Sequence, residues 1–190
     1  MSLFAKRSDY LPKAVIEASC NCAGVFLLRK DSLGDVPSVL LVESKRKSYQ
    51  YSFPKGKRNK NEDTLTTAKR ELYEETGIRE EDIEILPNRW YLEYLPKTGK
   101  PHIIYYLCYL KNTDVVLNPI DTKEIVSANW FKPDEIYRMR RSFYQSRRQI
   151  VQKAIREFVV RERYPMMELE EPIKKTQFFQ QSPTAFSYYT

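Results

Sequence analysis

A glycine loop that runs directly into an acidic helix constrains this chain more than any other feature. It occupies residues 52–78, with the sequence SFPKGKRNKNEDTLTTAKRELYEETGI. At 3.6 residues per turn, Glu71, Glu74 and Glu75 stand at i, i+3 and i+4 and project from one face. A different arc of the same helix is apolar and faces a core. Because clustered carboxylates repel each other and hard divalent cations prefer oxygen ligands, the pattern predicts a metal site.

The same residues resemble the signature of the Nudix hydrolases. That signature reads G, five residues, E, seven residues, R-E-aliphatic-x-E-E-x-G-aliphatic, and residues 56–78 fill all of its defined positions. A pattern of this length is far more specific than a short glycine motif. The alternative is a solvated acidic helix. That alternative does not explain why Gly56, Glu62, Arg70 and Gly77 stand at the required offsets.

The fold expected from these features is of the α/β class. Two strands, a glycine loop and a helix indicate layered α/β packing, and the resemblance implies a Nudix-type α/β/α sandwich with a mixed central sheet. We expect a leader over residues 1–16 and a Nudix hydrolase domain over 17–164. A basic C-terminal helix completes that domain, and residues 165–190 form an irregular tail.

The remaining elements follow from periodicity and turn residues. Strands are predicted over 17–29, 38–43, 102–110 and 125–131, with the 102–110 strand the most apolar and central. A further strand over 83–96 is broken at Pro87, and residues 97–100 form a hairpin turn. Pro133 opens a short helix, and residues 137–164 have helical period.

The resemblance implies hydrolysis of a diphosphate linkage by water. Glu71, Glu74 and Glu75 are predicted to hold Mg²⁺, with Mn²⁺ as a substitute, and the Gly56 carbonyl is a further ligand by resemblance. Metal ions of this kind neutralise charge on the leaving phosphate and activate a bound water. Glu74 or Glu124 would orient or deprotonate that water. Glu124 is included because, in several Nudix branches, the glutamate before the corresponding strand faces the metal site as a ligand or base. A surface role for Glu124 stays equally open.

Three positions of the signature have supporting roles. Arg70 is expected to hold the carboxylates in place through charge-assisted hydrogen bonds rather than to act in the chemistry. Glu62 is expected to tie the loop to the helix. Gly56 allows the backbone to approach the metal.

The loop over residues 45–60 is strongly basic and carries no acidic residue. Its cations are Lys45, Arg46, Lys47, Lys55, Lys57, Arg58 and Lys60. Aromatic residues are interleaved with them, a composition that suits phosphates attached to bases. We predict that Lys55, Lys57, Arg58 and Tyr49 bind substrate. A solvated basic loop is the alternative, and it stays open for the cations that precede Tyr49.

A second basic segment covers residues 138–163, with nine cations against two glutamates. Its apolar stripe predicts that one side docks on the domain. A basic amphipathic helix also binds nucleic acid or an acidic partner. Both interpretations remain open.

The substrate is less constrained than the chemistry. The residues SFPKGK followed by NK-x-E resemble the Nudix domain of messenger-RNA decapping enzymes, which implies capped or 5′-phosphorylated RNA. A second resemblance is to diphosphoinositol and diadenosine polyphosphate phosphohydrolases. Both readings share a polyanionic substrate. A lower-ranked alternative is a non-catalytic RNA- or partner-binding module, although such modules usually lack one of the box glutamates.

Composition sets the remaining bounds. The net charge of +7 and a pI near 9.2 favour polyanionic partners. Three cysteines and one histidine form neither a disulfide framework nor a zinc site. No apolar run approaches the roughly 20 residues of a membrane span, and charges interrupt the N-terminus before a secretory signal forms. We therefore expect a cytoplasmic or nuclear protein, with its oligomeric state undetermined.

Overall fold

The computed structural model describes residues 12–30, 35–45, 50–139 and 141–163. For residues 161–163 it describes the backbone only. Within these ranges the strands are β1 (Cys22–Arg29), β2 (Ser38–Ser44), β3 (Tyr51–Ser52), β4 (Lys55–Lys57), β5 (Ile83–Tyr94), β6 (Pro101–Leu110) and β7 (Ile125–Phe131). The α-helices are α1 (Lys13–Ser19), α2 (Thr64–Thr76), α3 (Pro133–Arg138) and α4 (Gln145–Arg163). A 3-10 turn covers Glu80–Asp82.

All these strands join one mixed sheet. Its path runs β3-β2-β1-β6-β5, with β4 paired to β1 and β7 paired to β2. The β1–β6 pairing is parallel, whereas the other pairings are antiparallel. β6 lies inside the sheet, where its nearly continuous apolar sequence is buried on both faces.

Helices cover both faces of the sheet. On one face, α1 and α2 bury Ile16, Ala68 and Leu72 against alternate residues of β1, β2 and β6. On the other face, α4 buries Val151 and Phe158 in a separate core rich in aromatic residues. The two cores confirm the predicted α/β/α sandwich with a mixed central sheet.

The N-terminal part of the domain differs from the prediction. Residues 13–19 form α1, so β1 begins at Cys22 rather than at residue 17. Pro12 precedes the helix with a φ of −55°, which suits a helix start. Ile16 is buried in the core, so the packed domain begins before residue 17. Residues 1–11 of the predicted leader lie outside the described part.

The predicted helix over 137–164 is interrupted. α3 ends at Arg138 and α4 begins at Gln145. Between them Phe143 is fully buried and packs edge-on against Phe53, 5.5 Å between ring centroids. Residues 141–144 form a turn rather than helix, and Phe143 enters the core from this turn. The predicted tail, residues 165–190, lies outside the described residues.

The break predicted at Pro87 is present only as an irregularity, because β5 continues as one strand from Ile83 to Tyr94. The β5–β6 register shifts between Ile85 and Trp90, and Asn88 adopts a φ of 55°. The predicted turn at residues 97–100 is also present, with Gly99 at a φ of 64°. The three cysteines are free. Among the described helices, none has the length and apolar character that crossing a membrane requires.

Candidate active site

The acidic helix α2 has well-defined ends that fix which way its carboxylates face. Asp63 caps its N-terminus, where Oδ1 accepts a 2.7 Å hydrogen bond from the Thr66 N–H. Gly77 ends it in the left-handed conformation, with a φ of 78°. A side chain at Gly77 would place its Cβ 2.6 Å from the Asn118 carbonyl oxygen. Glycine is therefore required for both conformation and space.

The glycine loop lies directly against this helix. β4 pairs with β1, and Gly56 stands opposite Ala23. A Cβ on Gly56 would lie 2.1 Å from the carboxylate of Glu71. Only glycine therefore lets the loop backbone and this carboxylate share the same space.

Arg70 is the centre of the polar network at the site. Its Nε and Nη2 donate to the two oxygens of Glu62 at 2.9 and 3.0 Å. Its Nη1 donates to Glu71 Oε1 at 2.7 Å and to Glu74 Oε2 at 2.9 Å. Nη2 also reaches the Lys57 carbonyl at 3.0 Å. One guanidinium therefore joins the glycine loop, Glu62 just ahead of the helix cap, and two box carboxylates.

The charges in this network shift each other's protonation. The hydrogen bonds from Arg70 lower the pKa of Glu62 to about 2, and Asn59 and Thr67 donate further bonds to the same carboxylate. The pKa of Arg70 is raised, chiefly by Glu62. Burial raises the pKa of Glu71, although Arg70 opposes that shift. Glu62 is thus a fixed anion, whereas Glu71 is held in a desolvated position.

Glu75 is the most buried box carboxylate, with 7% of its surface exposed. The backbone N–H of Lys55 donates to its Oε2 at 2.9 Å. Burial raises the pKa of Glu75 to about 8, and the negative charges of Glu71 and Glu124 act in the same direction. The positive charge of Lys55 opposes this shift, and a further positive charge near Glu75 would stabilise its ionised form.

The donor set of this site fits a hard divalent cation. Two desolvated carboxylates, Glu71 and Glu75, flank the glycine loop, and both have raised pKa values that a cation would lower. In the described parts of the chain, no three His, Cys, Asp or Glu side chains are arranged to hold a metal as they stand. These carboxylates instead accept hydrogen bonds within the protein. Glu71 and Glu74 accept from Arg70, and Glu75 accepts from the Lys55 N–H.

Glu124 lies at the entrance of β7, near the acidic helix. The loop that precedes it docks on α2, since the N–H groups of Ile120 and Asp121 donate to the Glu74 carbonyl at 2.9 and 2.8 Å. The Glu124 side chain is exposed, and its charge acts on Glu75. Its predicted role as a water-orienting base is compatible with this position and stays a prediction.

The predicted substrate-binding residues have different positions. The charge of Lys55 acts on both Glu75 and Glu71, and Lys57 is exposed on the same strand. Arg58 instead points away from them. Its guanidinium donates to the carbonyls of Glu62, Glu17 and Cys20. In this arrangement Arg58 ties the glycine loop to α1, a structural contact. Tyr49 lies outside the described residues.

A cleft of about 1010 Å³ opens beside the glycine loop. Lys55 and Gly56 form one end, and the last residues of β5 and the first half of α4 form its walls. Its aromatic lining consists of Trp90, Tyr91, Tyr94, His102 and Tyr144, and its further cations are Arg147 and Lys153. The cleft therefore combines positive charge with rings, next to the carboxylate cluster.

The cations of α4 divide into two groups. Arg147 is buried and pairs with Glu93 at 2.9 Å. Arg148 is half-buried and donates to the carbonyls of Met139 and Phe143. Lys153 and Arg156, in contrast, are exposed. Among the α4 cations whose side chains the structure describes, Arg147 and Arg148 are thus structural, whereas Lys153 and Arg156 are available to a polyanion.

The pairing of Glu93 with Arg147 is the main feature that the sequence analysis did not find. These residues stand 54 positions apart and belong to no motif. The only available signal was the arginine content of residues 138–163. Tyr91 is a different case, because its ring packs against Phe26 and its hydroxyl donates to Glu157 at 2.8 Å. Tyr91 is therefore a core residue whose edge reaches the cleft.

Comparison with known proteins identifies the family to which this chain is similar. Residues 20–154 match the NUDIX domain family model. The chain is 33% identical over 117 residues to a candidate mRNA-decapping protein of Acanthamoeba polyphaga mimivirus, covering 58% of this chain and 32% of that protein. It is 31% identical over 91 residues to mRNA-decapping enzyme subunit 2 of Arabidopsis thaliana, covering 47% and 23%. The chain thus spans a third or less of the length of these curated relatives.

A solved structure shares the fold. The Ap4A hydrolase of C. elegans, in a binary complex, superposes with a TM-score of 0.58 at 24% identity. The match covers 73% of this chain and 94% of that one. At this level of identity the likeness establishes the shared architecture.

Proposed function

This chain belongs to the Nudix family of hydrolases, and on that premise we propose that it is a magnesium-dependent pyrophosphohydrolase. Its substrate is a nucleotide with a diphosphate linkage, and the 5′ end of RNA is the favoured form. The observation that carries the proposal is that buried Glu75 and Arg70-bound Glu71 lie against Lys55 and Gly56, which form one end of a basic, aromatic cleft.

The chain's own residues prepare the site for a cation. Glu71, Glu74 and Glu75, with the Gly56 carbonyl, would hold it. When bound, Mg²⁺ supplies neutralisation of phosphate charge and a more acidic water. Arg70 Nη1 orients Glu71 and Glu74 by donating hydrogen bonds to their carboxylates. The Lys55 N–H orients Glu75 in the same way. Glu124, exposed beside them, accepts the proton of the attacking water at its carboxylate.

Lys55 and Lys57 hold the phosphates that do not react. Both lie on β4, and the charge of Lys55 already acts on the two buried carboxylates. A lysine ammonium is a mobile point charge, which suits phosphate groups that change position during cleavage. We expect these lysines to contribute to KM more than to kcat.

The lining of the cleft favours a nucleotide over an inositol phosphate. Tyr94 and Tyr144 are among the aromatic residues that line the cleft. Base–aromatic stacking contributes about 1–3 kcal/mol per base, whereas an inositol ring has no aromatic face to stack. A diphosphoinositol substrate therefore ranks below a nucleotide.

RNA is favoured over a free dinucleoside polyphosphate for two reasons. The curated relatives are both named as decapping proteins. In addition, Lys153 in the cleft and Arg156 nearby extend positive charge along α4, beyond the space that one nucleotide needs. A longer polyanion would use these contacts.

A substrate panel tests the proposal. The protein in Mg²⁺ is incubated separately with capped RNA, diadenosine tetraphosphate and a diphosphoinositol phosphate, and products are identified by mass. We expect a nucleoside diphosphate and 5′-monophosphorylated RNA from capped RNA, at the highest kcat/KM. Preferred cleavage of the inositol compound would overturn the substrate assignment. Absence of cleavage of all three would overturn the catalytic one.

A further inference from the structure

Glu93 is a deep carboxylate in the cleft with an asymmetric set of partners. Its side chain is 12% exposed. Oε2 accepts from Arg147 Nε at 2.9 Å and from the Tyr105 hydroxyl at 2.8 Å. Tyr105 is fully buried, and Arg147 also packs over the ring of Tyr144. The bonds from Arg147 and Tyr105 to Oε2 therefore fix the rotamer of Glu93.

The second oxygen of Glu93 faces the cleft. Among the described residues, no hydrogen bond reaches Oε1. The same residues contain no fully buried side-chain oxygen or nitrogen without a partner. Oε1 is consequently accessible, and since Glu93 lines the cleft, that access is from the cleft. Glu93 Oε1 is thus a fixed hydrogen-bond acceptor in the wall of the cleft, open to a donor from a ligand.

The sheet register sets how far this acceptor lies from the phosphate end. Glu93 pairs with Ile103, Ile103 with Cys22, and Cys22 with Lys57, in one row across β5, β6, β1 and β4. Three strand spacings amount to about 14 Å. That is the scale of a nucleoside with its first phosphates. When the phosphates lie at Lys55 and Lys57, the base reaches Glu93.

We propose that Glu93 is the specificity-determining residue of the cleft, and that its Oε1 accepts a hydrogen bond from an N–H donor on the substrate's nucleobase. The proposal rests on the proposed function. A carboxylate only accepts hydrogen bonds, so a base that turns N–H groups toward it is retained. A base without such donors leaves Oε1 desolvated and unpaired, and is rejected.

The test compares two substrates that differ only in the edge of the base. Both are dinucleoside tetraphosphates, one with guanine and one with unsubstituted purine, which keeps the ring but carries no N–H donor. The wild-type protein is expected to prefer guanine by about 10- to 100-fold in kcat/KM. Glu93→Gln, which keeps the size of the side chain but presents an amide, should reduce this preference at least tenfold. Equal kcat/KM values for the wild type overturn the proposal without any variant.

Tyr105→Phe provides the matched control. It removes one bond to Oε2 and leaves Oε1 in place. If Glu93 only anchors α4, both variants lower kcat/KM for both substrates by the same factor, and the preference is unchanged. That result would overturn the specificity role.

A binding measurement separates this proposal from the proposed function. Guanosine diphosphate and purine riboside diphosphate are titrated into the metal-free protein by calorimetry. Tighter binding of the guanine compound by the wild type, lost in Glu93→Gln, supports the role of Glu93 even if neither tetraphosphate is cleaved. Cleavage of both tetraphosphates without preference leaves the proposed function standing and removes the role of Glu93.

Discussion

Arg70 grips both carboxylate oxygens of Glu62, with Nε–Oε1 at 2.9 Å and Nη2–Oε2 at 3.0 Å. This two-point contact fixes the plane of the guanidinium. The remaining nitrogen, Nη1, is thereby directed at Glu71 and Glu74. Glu62 therefore acts on the box carboxylates through Arg70, without touching them itself.

Arg70→Lys should weaken both stability and catalysis. A lysine keeps the charge but cannot bind Glu62 at two points and reach Glu71 as well. We expect a loss of about 2 kcal/mol in the free energy of unfolding, because Arg70 and Glu62 are 25% and 12% exposed. The kcat should fall about 10- to 100-fold, since the carboxylates lose their orientation. Urea denaturation and steady-state kinetics measure the two effects, and an unchanged kcat would contradict the orienting role.

The contribution of Glu62 to stability should depend on pH. The folded pKa of about 2 lies below the ordinary value of 4.5. The ionised group therefore stabilises the fold above pH 4.5, and this contribution is lost as the pH falls toward 2. At pH 7 we expect the free energy of unfolding of the wild type to exceed that of Glu62→Gln by on the order of 2 kcal/mol. The difference in free energy of unfolding should narrow below pH 4.5, and a difference that stays constant down to pH 3 would count against the assignment.

Gly56→Ala should displace Glu71. Its Cβ would lie 2.1 Å from that carboxylate, so we expect a loss of about 1–3 kcal/mol in stability and a large loss of kcat. A double-mutant cycle identifies the cause. In a Glu71→Ala background the space is vacated, and the destabilisation by Gly56→Ala should shrink by at least half. Additive effects in the cycle would place the clash elsewhere.

Glu75→Gln should separate metal binding from folding. Glu75 is buried and makes one backbone hydrogen bond, and a glutamine can still accept that bond. The metal-free variant should therefore melt at or above the wild-type temperature. The increase in melting temperature that Mg²⁺ gives the wild type should disappear, and kcat should fall by a factor of 10² or more. A variant that retains both the Mg²⁺ shift and its activity would remove Glu75 from the metal site.

The parts of the site that are local in sequence were predictable, and the others were not. Glu71, Glu74 and Glu75 share a face because helical geometry alone places them there. Arg58 is predicted to bind substrate as one of the cations of the 45–60 loop. Its guanidinium instead donates to the carbonyls of Glu17 and Cys20, at the end of a helix that sequence patterns did not predict. Glu93 meets Arg147 only after β5 pairs with β6 and α4 docks on the sheet. Contacts of this kind depend on tertiary packing and leave no periodic signal.

The division of the α4 cations gives the last prediction. Arg147 is buried against Glu93, so reversing its charge would disturb the fold and would not report on RNA. Lys153 and Arg156 are exposed, and replacing both with glutamine should leave the melting temperature nearly unchanged. If they contact RNA phosphates, the slope of log K against log salt for single-stranded RNA should fall by roughly 1.4.

The double variant Arg79→Gln, Lys111→Gln removes the same charge outside α4. Both residues are exposed, and the Lys111 N–H bonds to the Asp82 carbonyl just before β5 begins. Neither residue belongs to α4 or lines the cleft. The control should keep the wild-type slope, because a specific contact is lost only where RNA lies. Equal decreases in both double variants would show that overall charge, rather than α4, attracts RNA.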